Sequence, residues 1–138
     1  MGIVFNCLET KDKEIWKILV VDDEPAVCKV IKMLLEYEGH EVQTAGSGIE
    51  ALRLLEQEKF DLVTTDYSMP GMKGDTLALA IKQRLPNQRI LMISANGATS
   101  KSHGNPLPGV DLVISKPFLL VELREAIAKI LQGNQEGL

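Results

Sequence analysis

The chain has 138 residues, 45% hydrophobic and 25% charged, with a formal net charge of −4. That suits one globular domain of roughly 100–150 residues with a core that needs no disulfide staples. The acidic balance gives no footprint for nucleic acid, which would call for a basic face, and no apolar run approaches the roughly 18 residues of a membrane span. The two cysteines, Cys7 and Cys28, cannot form a disulfide framework, so a reduced, cytoplasmic setting is expected. Met1 to Leu8 lacks a basic n-region and is too short an apolar stretch for a signal peptide.

Residues 1–14 read as an extension ending in the charged run Lys11-Asp12-Lys13-Glu14. A first buried strand is expected over 16–21, apolar and rich in Val and Ile. Asp23 is then a candidate N-cap and Pro25 suits a first helical turn. Val27, Val30, Ile31, Leu34 and Leu35 follow at helical spacing, and Gly39 ends that helix. Glu41 to Ala45 is a second, weaker strand. Ser47-Gly-Ile-Glu50 is a capping box opening a helix with Ala51, Leu52 and Leu55.

The third strand is expected from Phe60 to Thr65, followed by a loop with the turn signal Pro70-Gly71. Asp75 leads a helix with Leu77, Ile81 and Leu85 spaced i, i+4, i+8, stopped near Pro86. Arg89 to Ser94 is the fourth strand and Val110 to Ser115 the fifth. Leu119 to Leu131 is a final helix with Leu120, Leu123, Ile127 and Ile130 or Leu131 on one face.

Strands alternating with helices imply right-handed βαβ units and a parallel sheet covered on both faces. The expectation is a flavodoxin-like, doubly wound α/β fold, five strands in the order 2-1-3-4-5. One segment breaks the rhythm. Residues 96–109 carry three Gly and two Pro where a fourth helix should lie. Interior Gly costs about 1 kcal/mol and Pro about 3 kcal/mol, so this helix is expected to be shortened or disordered.

The chemistry sits at the strand ends. Asp22 and Asp23 end the first apolar run, Asp66 the third, Ser94 the fourth, and Lys116 the fifth. In open α/β sheets, ligands bind beyond these carboxyl ends, at the point where strand order reverses. Alone, each residue reads most simply as a cap, a turn residue or a solvated charge. Five polar groups at four ends of one sheet must instead converge on one crevice. Three carboxylates suit Mg²⁺, which prefers oxygen ligands and keeps several waters. Asp66 can act as a nucleophile toward phosphorus, forming an acyl phosphate. Lys116 and Ser94 can take phosphoryl oxygens by charge and by hydrogen bond.

Several features read otherwise. Gly46-Ser-Gly48-Ile-Glu-Ala51 matches a dinucleotide fingerprint, but it follows the second strand, and the capping box accounts for Ser47 and Glu50. His40 and His103 have no partner pattern for metal or triad chemistry. Cys28 reads as a small residue at the core's edge.

The runs Ile18-Leu-Val-Val-Asp22-Asp23-Glu-Pro25, Asp66-Tyr-Ser-Met-Pro-Gly-Met72, Ser94-Ala95 and Lys116-Pro117-Phe118 resemble the receiver domain of two-component response regulators. The resemblance covers about residues 16–132, and receivers share the 2-1-3-4-5 order. It implies that Asp66 accepts a phosphoryl group from a histidine kinase or histidine phosphotransfer protein. It implies Mg²⁺ held by Asp22, Asp23, Asp66 and the backbone carbonyl of Ser68. It assigns Ser94 and Lys116 to the phosphoryl oxygens, and it implies a cis Lys116-Pro117 bond. The output partner is an unidentified protein, with no nucleic-acid or membrane contact expected of this domain.

Val113 departs from the pattern, since the family commonly has Tyr or Phe three residues before the lysine. A relay through that ring is therefore not expected, and phosphorylation is expected to order residues 96–109 instead. The domain is expected over 15–132, with a tail at 133–138, either stand-alone or excised from a longer chain such as a hybrid kinase. It is expected to be a signalling switch and not a conventional enzyme. One alternative is a Mg²⁺-dependent phosphohydrolase using Asp66 as nucleophile, although position 68 holds Ser where such an enzyme wants a second Asp. The other is a docking module that no longer accepts phosphate.

Overall fold

Short β-branched runs form strands because both their faces can be buried, and amphipathic stretches form the helices that bury them. The computed structural model describes residues 15–95 and 107–132. Its strands are β1 (Lys17–Val21), β2 (Glu41–Ala45), β3 (Leu62–Asp66), β4 (Arg89–Ser94) and β5 (Leu112–Ser115). Its helices are α1 (Pro25–Tyr37), α2 (Gly48–Gln57), α3 (Gly74–Arg84) and α4 (Leu120–Leu131). All strand pairs are parallel, and the order is β2-β1-β3-β4-β5, as the alternation predicts. The expectations for residues 1–14, 133–138 and 96–106, including the shortened helix and His103, lie outside the described residues.

Successive residues of a strand point to opposite faces, so the central strands feed two core layers. On one face, Ile18, Val20, Leu62, Leu91 and Ile93 pack against Ile31 and Leu35 of α1 and Leu123, Ile127 and Ile130 of α4. On the other, Leu19, Val21, Val63, Ile90 and Met92 meet Ala51 of α2 and Leu77, Ala78 and Ile81 of α3. Each large side chain buried this way contributes about 1.5–3 kcal/mol.

Several boundaries differ from the sequence-based expectation. The N-cap of α1 is Glu24, not Asp23, and it makes no side-chain cap; Pro25 stands at the first helical position. The buried face of α1 is Cys28, Ile31 and Leu35, whereas Val30 is 54% exposed. Val30 instead lines an apolar groove with Val27, Leu34, Pro117 and Phe118. Cys28 sits inside the core, 7% exposed. The last helix begins one residue late, and the Leu119 N–H donates to Glu122 Oε1 at 2.8 Å.

β3 and β5 both start at the Leu of an Asp-Leu-Val sequence whose Asp carboxylate extends the pairing to the neighbouring strand. The Lys17 N–H donates to Asp61 Oδ2 and the Ile90 N–H to Asp111 Oδ2, each at 2.8 Å. Phe60 and Val110 are buried just ahead of these strands. The capping box at α2 forms with a shift. Ser47 Oγ accepts from the Glu50 N–H at 3.1 Å, while Glu50 Oε1 reaches the Gly46 N–H at 2.8 Å. Gly39 takes φ +97 where α1 turns into β2, a conformation that favours glycine.

Candidate functional site

Register brings the strand ends together. Val21 pairs with Thr65, Asp66 with Ile93, and Ser94 with Ser115. The residues that end each strand therefore line one edge of the sheet. Asp22, Asp23 and Asp66 each offer a carboxylate oxygen, all within 4.8 Å of one another. Asp22 is 3% exposed, Asp66 8% and Ser94 1%.

Lys116 Nζ reaches into this cluster, 3.3 Å from both Asp22 Oδ2 and Asp66 Oδ1. Its contact with Asp22 is a hydrogen bond. Its contact with Asp66 is an ion pair by distance only, and Asp66 Oδ1 is buried without a hydrogen-bond partner. Asp22 is better held. Its Oδ1 accepts from the Glu24 N–H at 2.9 Å, its own N–H donates to the Ala45 carbonyl, and its carbonyl accepts from Cys28 Sγ at 3.2 Å. The Lys116 N–H donates to the Ser94 carbonyl at 2.8 Å, tying the ends of β4 and β5. The Lys116-Pro117 bond is cis, as the resemblance implies.

The electrostatics follow from burial with too few cations. Desolvation raises the Asp66 carboxyl above the ordinary carboxylate range; Lys116 opposes that rise and Asp22 adds to it. Burial acts to lower the Lys116 ammonium, yet Asp22 and Asp66 together leave it raised. Burial, and then Asp22, push the Cys28 thiol up, so it is a packed hydrogen-bond donor and not a nucleophile.

Three carboxylates beside one ammonium, with a buried oxygen that accepts no hydrogen bond, fit a hard divalent cation that takes oxygen ligands. Each predicted acid lies in this cluster, Lys116 joins it, and Ser94 ends the neighbouring strand. Ser68 lies on the exposed loop just beyond Asp66. The Gly46–Ala51 segment holds no cradle for a pyrophosphate, because Ser47 caps α2 and the Met72 side chain fills the space over Gly48. His40 is structural: its Nδ1 accepts from the Trp16 N–H at 3.0 Å.

Sequence reasoning missed Gly74. A Cβ there would lie 2.2 Å from the Asp66 carbonyl oxygen, so the first turn of α3 rests directly on the backbone of Asp66. The available signal was a glycine opening a helix with no side-chain cap before it.

A model of the response regulator receiver domain matches residues 18–128. The chain is 36% identical over 119 residues to chemotaxis protein CheY-3 of Vibrio cholerae, covering 84% of this chain and 92% of that protein. It is 35% identical over 117 residues to transcriptional regulatory protein GlrR of Escherichia coli, covering 85% of this chain but 26% of GlrR. The chain thus spans about a quarter of the length of GlrR and of QseF. A CheY-like receiver domain protein from Methanospirillum hungatei superposes with a TM-score of 0.80 at 30% identity, over 91% of this chain and 100% of that one. Response regulator TrrA of Thermotoga maritima, solved in complex with Mg²⁺-BeF, gives 0.75 at 33% identity, over 83% and 98%.

The 2-1-3-4-5 parallel sheet with acids and a lysine at its C-terminal edge defines a CheY-like signalling fold. The chain belongs to the receiver domains of two-component response regulators, which act in signal transduction. Among the described residues no helix is long and apolar enough to cross a membrane.

Proposed function

We propose that Asp66 is the phospho-acceptor of a phosphorelay switch and takes its phosphoryl group from a phosphohistidine on a kinase or phosphotransfer protein. One observation carries this reading: Asp66 presents a buried carboxylate oxygen that has no hydrogen bond and is ion-paired at 3.3 Å with a lysine that also pairs with Asp22. In the transfer, an Asp66 carboxylate oxygen attacks phosphorus and the P–N bond of the donor breaks. The bonding pair stays on the imidazole nitrogen, and an acyl phosphate forms.

Phosphoryl transfer needs positioning and charge stabilisation more than elaborate covalent chemistry. Lys116 supplies a fixed cation for one phosphoryl oxygen, and the Ser94 hydroxyl donates to another. Asp22, Asp23 and Asp66, with the Ser68 carbonyl, are the groups that would hold Mg²⁺. When bound, that ion neutralises charge on the phosphoryl group. TrrA, a relative solved with Mg²⁺-BeF, supports the same assignment here.

In this reading the unit spans residues 15–132, between an extension at 1–14 and a tail at 133–138, and works in the cytoplasm. It is a phosphorylated signalling domain whose only chemistry is gaining and losing its own phosphate. Incubation with acetyl phosphate and Mg²⁺ tests it. Intact mass should show one acid-stable, base-labile phosphate, mapped to Asp66. Turnover of a phosphomonoester would point to the hydrolase, and an unlabelled chain to a docking module.

A further inference from the structure

Two glycines outside the acidic cluster meet the loop that carries Ser68 at distances a side chain would crowd. That loop leaves β3 at Asp66 and enters α3 at Gly74. The Gly74 N–H closes it by donating to the Tyr67 carbonyl at 2.9 Å. A Cβ on Gly74 would lie 2.2 Å from the Asp66 carbonyl oxygen and 3.0 Å from both the Asp66 carbonyl carbon and Tyr67 Cα. All three are backbone atoms, so no rotamer change relieves the clash. The Asp66 carbonyl is further engaged by the Thr65 hydroxyl, which donates to it at 3.0 Å.

The loop's outer part rests on α2. A Cβ on Gly48 would lie 2.6 Å from Met72 Sδ and 3.1 Å from Met72 Cβ and Cγ. Between these two seats, Met69 is buried in the core, 5% exposed. The loop is therefore pinned by core packing at Met69 and by close approach at its two bare backbone sites.

We propose that Gly74 and Gly48 are positioning residues for phosphoryl transfer to Asp66: they seat the Tyr67–Lys73 loop and the end of β3 against α3 and α2. This rests on the phospho-acceptor reading and adds to it two residues that touch neither phosphate nor metal. Restoring the 3.0 Å floor of real Cβ contacts at Gly74 requires backbone to move about 0.8 Å, and a misplacement of about 1 Å can cost on the order of 10²-fold in rate. At Gly48 the neighbour is a flexible methionine, so the effect is smaller. The two sites also differ in stability. Gly48 opens α2 and faces a side chain that can move, so Gly48→Ala should fold without loss of Tm while displacing Met72.

The test follows acetyl phosphate labelling of Asp66 by intact mass across a Mg²⁺ titration, with Tm measured in parallel. It uses the wild type, Gly74→Ala, Gly48→Ala and, as a remote core control, Ile130→Val. Expected are a loss of at least about tenfold in labelling rate for Gly74→Ala and about two- to fivefold for Gly48→Ala. Gly48→Ala should keep or raise Tm, whereas Ile130→Val should lower Tm and label at the wild-type rate. A purely structural role cannot give slower labelling at equal or higher Tm. Wild-type labelling in both glycine variants, or rates that simply track Tm, would overturn the proposal. If Gly74→Ala does not fold, Gly48→Ala decides alone, and a wild-type rate there overturns it. An unlabelled wild type would overturn the phospho-acceptor reading and this inference with it, whereas unaffected glycine variants of a labelled wild type overturn this inference only.

Discussion

At the N-terminal edge of the sheet, Lys17 pairs with Glu58, and Lys82 and Arg89 share Asp111. Asp61 and Asp111 also accept backbone N–H groups from Lys17 and Ile90. These side chains are roughly a quarter to a third exposed. At the C-terminal edge, Asp22 and Asp66 are almost fully buried, share one lysine with each other, and lie beside Asp23. The first edge is balanced and partly solvated, and such pairs contribute little to stability. The second is unbalanced and holds two nearly buried carboxylates, so it costs stability unless a cation or a phosphoryl group balances it. The same residue types thus act as strand-end fasteners at one edge and, in the proposed reading, as a reactive cluster at the other. What separates them is the supply of partners and water.

Asp66→Asn breaks the contrast most sharply. It should abolish labelling by acetyl phosphate while raising Tm of the metal-free protein at neutral pH, by about 3 °C for each kcal/mol relieved. The sign follows from the raised Asp66 carboxyl. The folded state holds that proton more tightly than the unfolded one. This group's contribution to stability is therefore complete below the unfolded value and lost as pH rises through the folded value. The Tm gap between Asp66→Asn and wild type should be widest at neutral pH and close as the medium is acidified through the folded value. A gap independent of pH would show that Asp66 is not the strained group.

Lys116→Ala comes next. Removing this cation from the cluster should slow labelling by about 10²–10³, the usual loss for one fixed electrostatic donor, read as the initial rate by intact mass. Addition of Mg²⁺ should then mend the imbalance in the wild type. At 100 times its Kd, the ion should stabilise the fold by about 2.7 kcal/mol, measured as a Tm rise that Asp22→Asn reduces. The smallest effect is expected at the opposite edge. Lys17→Met should barely move the midpoint of a denaturant titration and leave labelling unaltered. A large loss there would erase the distinction between the two edges.

Much of the site was legible because it is local. An apolar run that stops at Asp66 or at Asp22-Asp23 marks a strand end whatever the rest of the chain does. Boundaries were less legible where a side chain extended backbone pairing, as those of Asp61 and Asp111 do, or where packing set which stripe of a helix is buried. On α1 the expected stripe ran through Val27, Val30, Ile31, Leu34 and Leu35, and the position of β1 and α4 turned the helix so that Cys28 is buried with Ile31 and Leu35 while Val30 is exposed. Cys28 looked peripheral because nothing in its neighbours announces the carbonyls of Asp22 and Ala45 that its thiol meets.

By itself the sequence determined the alternation of strands and helices and the identity of the groups at each strand end. Hydrophobic period and strand termination are short-range properties. Tertiary structure alone decided that Lys116 divides itself between Asp22, 94 residues away, and Asp66, leaving one Asp66 oxygen without a hydrogen bond. It alone decided that Gly74 must lack a side chain, because a helix start meets a strand's carbonyl there. Distances of this kind depend on register and packing between elements far apart in the chain, and no periodicity within either element encodes them.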